Sequence, residues 1–278
     1  MAKSEKARVN GVELFYVDQG EGPSVLFVHG SNVDYRIWAE HSEILGPRYR
    51  VIALTQRYFG MSPWPDDGRD FSIQVHADDL AAFIGALRLD PVTIIGWSYG
   101  GAVCLALAVQ HPELVKRLFL YEPALATFVS DPIAFKRAID DRLEMSRAAK
   151  LAANSGNVES AVQLFMDGVN DHNGAFRSLP DWVQQMMLDN ARMLPLLFAV
   201  PPPPQITCVD LSRLTVPVTV ALGGDSRMFY RISAERAAQC IPGASLMTIS
   251  KARHLWPIQN PQAFSQLVLD FLNKKQTE

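Results

Sequence analysis

The chain has 278 residues, of which 48% are hydrophobic and 20% charged, and its formal net charge is −3. That is enough chain for a sizeable core in one large domain or two modest ones. With no basic stripe or run of like charge, nucleic acid and anionic membranes are excluded as expected partners.

The N-terminal stretch Met1–Phe15 is charged and has no secretory apolar core, and no run of about 18 apolar residues could span a bilayer. Cys104, Cys208 and Cys240 are odd in number, widely spaced and form no Cys-x-x-Cys pair. They are expected as reduced thiols of a cytoplasmic protein, with Cys104 and Cys240 as small core residues and no zinc site.

Along the chain, Asn10-Gly11 between short alternating segments predicts an antiparallel hairpin. Val25-Leu26-Phe27-Val28 is a continuous apolar run of the kind buried in a parallel sheet. A helix is expected over 35–45, a strand over 51–54, and a helix over 73–89 with apolar Leu80, Phe83, Ile84 and Leu87 on one face. A strand at 92–95, a helix at 99–110 and a strand at 117–121 follow. Strands alternating with helices in this way predict a mostly parallel, doubly wound α/β sheet.

From 131 to 205 the pattern is helical without strands. Asp131-Pro132 reads as an N-cap with Pro at the first helical position, Pro180-Asp181 as another helix start, and Pro201–Pro204 as a stiff connector. Strands at 218–222 and 245–249 then alternate with helices at 233–240 and 262–273. The expected organisation is a core of residues 1–130 and 206–278 interrupted by a helical lid, 131–205. Five of the nine methionines (145, 166, 186, 187 and 193) fall in that insertion, where thioethers suit either a pocket roof or helix packing.

The chemistry is concentrated at Gly96-Trp97-Ser98-Tyr99-Gly100-Gly101, between the strand at 92–95 and an alanine-rich helix. Gly-x-Ser-x-Gly alone is a weak signal, but strand, pentapeptide, helix is the context of a nucleophile elbow. The sharp turn lifts Ser98 Oγ clear of the sheet and leaves N–H groups free at a helix N-terminus.

A serine nucleophile needs a base and an orienting acid, expected at the carboxyl ends of strands. Asp225 follows the strand at 218–222, and His254 is the sole histidine after the last strand. Glu122, at the end of the strand 117–121, is a rival acid. Ser31, which follows His29-Gly30, and Tyr99 are the candidate oxyanion N–H donors. Trp97, Met228, Phe229, Leu255 and Trp256 are candidate pocket walls by proximity in sequence to the triad.

With these motifs in this order, the chain resembles the α/β-hydrolase superfamily from about Gly11 to Leu272, nearest to small lidded esterases, carbon–carbon bond hydrolases and cofactor-free haloperoxidase-like enzymes. Two departures stand out. Arg57-Tyr58-Phe59-Gly60-Met61-Ser62 replaces the usual Arg-Gly-x-Gly-x-Ser, and Arg253 replaces the Gly before the histidine. Ser98 at the elbow argues against dehalogenation and epoxide opening, for which relatives use aspartate there.

The resulting expectation is a Ser98–His254–Asp225 serine hydrolase acting through an acyl-enzyme on an uncharged, moderately apolar carbonyl substrate. It would need no metal or organic cofactor and would be a monomer or homodimer. One alternative is hydrolysis of a carbon–carbon bond in a vinylogous diketone, with Arg57, Arg227 or Arg253 binding a carboxylate. Another is a non-catalytic ligand receptor on the same fold.

Overall fold

The computed structural model describes residues 3–64, 66–199 and 203–274. The strands are β1 (Glu5–Val9), β2 (Val12–Gln19), β3 (Ser24–Val28), β4 (Arg50–Leu54), β5 (Val92–Trp97), β6 (Val115–Tyr121), β7 (Val218–Gly223) and β8 (Ser245–Ile249). They form one sheet in the order β1-β2-β4-β3-β5-β6-β7-β8. The β1–β2 and β2–β4 pairs are antiparallel and the others parallel.

Asn10 and Gly11 join β1 to β2 with φ of 45° and 80°, both in the left-handed region that a tight hairpin turn requires. β5 is buried at every position, in keeping with its β-branched run Val92-Thr93-Ile94-Ile95 at mid-sheet.

The helices are α1 (Ala39–Leu45), α2 (Ile73–Ala86), α3 (Tyr99–Gln110), α4 (Pro132–Asn154), α5 (Val158–Asn170), α6 (Asp181–Asp189), α7 (Leu194–Ala199), α8 (Cys208–Leu211), α9 (Met228–Cys240), α10 (Trp256–Gln259) and α11 (Pro261–Asn273). α3 is buried on nearly all sides, which explains its alanine and glycine content in place of an amphipathic pattern.

Between β6 and β7 the chain runs through α4 to α8. Asp131 caps α4 by accepting from the Ala134 N–H at 2.6 Å, with Pro132 at the first helical position. Of the connector expected at Pro201–Pro204, Pro201 and Pro202 lie outside the described residues.

This helical segment is tied to the sheet by buried or half-buried polar contacts. Asn190 receives the Gly60 N–H at 2.6 Å and donates to Asp34 at 2.7 Å. Asp141 pairs with Arg227 at 2.7 Å and receives the Phe229 N–H at 3.0 Å.

The cysteines depart from expectation. Cys208 and Cys240 form a disulfide that joins α8 to the end of α9, with Cα atoms 5.1 Å apart. A separation of 32 residues in sequence hides this proximity, which arises because α8 packs on α9. The pairing removes the cysteine-based ground for a reducing compartment. Cys104 is free and buried in α3. Among the described residues no helix is long and apolar enough to cross a membrane.

Candidate active site

Ser98 sits between β5 and α3 with φ 56° and ψ −119°, a conformation L-residues rarely adopt. Its N–H donates to Tyr121 O at 3.0 Å, and its carbonyl accepts from Ala102 at 3.1 Å and Ala124 at 3.0 Å. Neighbouring backbone therefore holds the strained turn. Glycine is obligatory at position 100, where a Cβ would lie 2.3 Å from His29 O and 2.5 Å from Val28 O.

The Ser98 hydroxyl donates to His254 Nε2 at 2.9 Å. On the other side of the ring, Nδ1–H donates to Glu122 Oε2 at 2.6 Å. Glu122 is fully buried, and its second oxygen accepts the Gly223 N–H at 2.7 Å. This chain of two bonds fixes the imidazole tautomer with its free lone pair on the serine. An imidazole so placed can take the hydroxyl proton, and the carboxylate can stabilise the resulting cation.

The carboxylate that faces His254 is Glu122, and the expected position of Asp225 beside the imidazole is corrected. Asp225 is exposed in a turn where its N–H donates to Ala252 O at 3.0 Å. Both residues stand at strand ends, but β6 lies between β5 and β7, which aims Glu122 at the histidine. Glu122 takes φ 48°, and the longer glutamate side chain bridges to both His254 and β7.

Several groups hold His254. The Tyr230 ring stacks on the imidazole, with centroids 3.7 Å apart and planes 9° apart. Burial pushes the Tyr230 hydroxyl well above the usual tyrosine range, so it stays protonated. Trp97 donates its indole N–H to His254 O at 3.2 Å, and Asn170 at the end of α5 accepts the Leu255 N–H at 3.0 Å. Arg253, the departure from glycine, donates to the carbonyl of Asp171 at 3.0 Å. Sequence reasoning missed Tyr230; it is the third residue of α9, with no motif of its own.

Opposite the nucleophile, Ser31 and Tyr99 line the same cavity as Ser98. Among the described residues neither N–H has a hydrogen-bond partner, so both are free to meet an oxyanion. The Gly30-Ser31 turn is set by His29, whose Nε2 accepts the Gln56 N–H at 3.1 Å while Nδ1–H donates to Gly30 O at 2.7 Å. Burial pushes the His29 pKa down to about 4, which keeps it neutral and both bonds intact.

The cavity has a volume of about 560 Å³, and Ser98, Tyr99 and Tyr230 line it beneath α4 and α7. Of the expected walls, Phe229 lines it and four do not. Trp97 and Leu255 are buried in the core, Met228 is exposed, and Trp256 packs on Tyr121 and Phe264. Proximity in sequence to the site residues failed here because each neighbour's side chain leaves the backbone in a different direction.

Of the five methionines, Met145 lines the cavity, while Met166, Met186, Met187 and Met193 are buried in helix packing. Tyr58 fills a buried position at φ 67° against Trp64 and Phe71 without reaching the cavity. The three arginines considered for a carboxylate all have protein partners. Arg57 pairs with Asp79 and Arg227 with Asp141 and Asp171, while Arg253 binds backbone carbonyls. Among the described residues no cluster of three or more His, Cys, Asp or Glu could hold a metal ion.

Comparison with known proteins agrees with this architecture. Over 287 aligned positions the chain is 27% identical to a 2-hydroxy-6-oxo-2,4-heptadienoate hydrolase of Pseudomonas putida, covering 94% of this chain and 93% of that one. It is 28% identical over 201 residues to a 2-hydroxymuconate semialdehyde hydrolase of Pseudomonas sp., covering 61% and 71% of the two chains. An esterase structure from Exiguobacterium antarcticum superposes with a TM-score of 0.79 at 19% identity, covering 99% of this chain and 100% of that one. Residues 23–261 match the family model described as alpha/beta hydrolase fold, and the chain belongs to that family.

Proposed function

We propose that this protein is a serine hydrolase that cleaves an ester or related carbonyl substrate through an acyl-enzyme. The observation that carries this reading is the continuous chain from Ser98 Oγ through His254 to buried Glu122 at the wall of a cavity of about 560 Å³. Ser98 attacks the carbonyl carbon as His254 takes its proton, and Glu122 stabilises the imidazolium. The N–H groups of Ser31 and Tyr99 hold the oxyanion, for which the loss of one donor typically costs about 2.7–4 kcal/mol. His254 then protonates the leaving group and activates the water that releases the acid. Helices α4 to α7 serve as the lid that excludes bulk water from these steps.

Steady-state hydrolysis of p-nitrophenyl esters from acetyl to octanoyl tests the reading. Turnover with an optimum at intermediate chain length is expected, and Ser98→Ala should reduce kcat by at least ~10³-fold. Repeated turnover also separates an enzyme from a ligand receptor. Equal rates in the two proteins would overturn the assignment of Ser98.

The names of the two Pseudomonas relatives favour a second reading, cleavage of a carbon–carbon bond in a vinylogous diketone by the same three residues. Arg57, Arg227 and Arg253, the arginines expected to bind its carboxylate, are engaged within the protein, so that reading needs a different cation at the cavity. Ser98-dependent bleaching of a vinylogous diketone chromophore, without turnover of any p-nitrophenyl ester, would establish it instead.

A further inference from the structure

Arg142 is a charged group that the mechanism above does not use. It lies on α4, and its side chain lines the cavity together with Ser98, Tyr99 and Tyr230. Among the described residues its guanidinium has no ion-pair partner and donates to no carbonyl or carboxylate, although the residue is only partly exposed. Its nitrogens keep access to solvent, and the residue forms part of the cavity wall. The nearest organised contact is the Phe229 ring, 5.6 Å from the guanidinium carbon. Desolvation lowers the Arg142 pKa from its ordinary value, and its positive field reaches both Tyr99 and Tyr230 at the cavity wall.

The rest of the lining sharpens the contrast. Arg147 and Lys150, one and two turns further along α4, also border the cavity, and among the described residues no aspartate or glutamate does. Arg147 is exposed and paired with Glu144 at 2.9 Å, and Lys150 is exposed, which leaves Arg142 as the one partly buried cation of the lining without a counter-charge among the described residues. A half-desolvated cation without a partner is unfavourable in the empty protein, and a bound anion removes that penalty. A planar guanidinium matches a carboxylate with two parallel hydrogen bonds.

We infer that the substrate carries a carboxylate, which Arg142 binds inside the cavity while Ser98 attacks a separate carbonyl. This deepens the hydrolase reading and rests on it for the identity of the attacked bond. It also replaces the expectation of an uncharged acyl group with that of an apolar segment ending in a negative charge.

Binding to the Ser98→Ala protein tests this without requiring turnover. Calorimetric titration with monoethyl adipate and with diethyl adipate compares one charged end with its neutral counterpart. The monoester is expected to bind at least ~10-fold more tightly, as a charged hydrogen-bonded pair implies. In the Ser98→Ala/Arg142→Gln protein that ratio should fall to about one, with Arg142→Lys in the same background keeping part of it. Equal affinity of the two esters for Ser98→Ala overturns the inference, and this arm needs no substitution at 142. A monoester preference that survives Arg142→Gln in a protein of unchanged circular dichroism and melting temperature also overturns it. Failure of the hydrolase reading is seen separately, as absent Ser98-dependent turnover alongside an intact binding ratio.

Discussion

At the level of single residues, the carboxylate beside His254 governs what the imidazole can do. Glu122 Oε2 lies 2.6 Å from His254 Nδ1, whereas Asp225 stands in an exposed turn. Glu122→Gln keeps the shape but presents either an amide or a wrong tautomer to the ring. It should lower kcat by roughly 10³–10⁴-fold, the scale seen when a triad acid is made neutral. Asp225→Asn should leave kcat/KM within about twofold, since surface changes away from such features have small effects. A large loss from Asp225→Asn with a small one from Glu122→Gln, measured on the same ester, would restore the first assignment. Ser98 and His254 were legible because their roles are tied to a local motif and to chain order. The acid was not, because two carboxylates satisfied the same strand-end rule and only burial and the register of neighbouring strands separate them. Arg142 and Tyr230 carried no signal at all, since a helix face gains its meaning only from what packs opposite.

Among the elements, the alternation of strands and helices read correctly because each has a distinct apolar period, and the hairpin because Asn10-Gly11 dictates its turn. The link between α8 and α9 was misread, because cysteine spacing reports separation along the chain and not separation in space. The disulfide closes a loop across β7 between Cys208 and Cys240, 32 residues apart, and fixes the end of the helix that presents Phe229 and Tyr230. Cys208→Ser should therefore lower unfolding stability by about 2–4 kcal/mol in urea titrations under non-reducing conditions. With reductant present, the unmodified protein should converge on the variant. A variant as stable as the parent in both conditions would show that this bond contributes nothing to the fold.

For the molecule as a whole, three histidines buried in the core set a limit on acid tolerance. Burial lowers the pKa of His29 to about 4 and those of His41 and His76 to about 3, from an ordinary value of 6.5. Between those values the unfolded chain binds protons that the folded chain does not, so stability rises with pH across this window. Acidification from pH 6.5 towards 4 should cost up to about 1.4 kcal/mol per pH unit for each histidine. Urea midpoints recorded at pH 7, 6, 5 and 4 should fall progressively, and His41→Asn should flatten the slope by about a third. A midpoint that stays level down to pH 4 would show that these side chains titrate normally. The global fold was legible because it follows from the order of periodic segments. The shape of the cavity was not, since it depends on how α4 and α7 settle over the sheet.

The three hydrogen-bonded residues also differ in when they come into existence. Ser98 and Glu122 belong to adjacent strands and emerge close together, whereas His254 lies 132 residues beyond Glu122, past the last strand of the sheet. At about 5–20 residues per second, a ribosome adds that stretch in roughly 7–26 s. Throughout that interval the nascent chain holds a serine on a strained turn and a carboxylate beside it, but no imidazole between them. The proposed site is therefore completed only after the chain has been made past His254, when the edge strand has docked and the helical segment is already made.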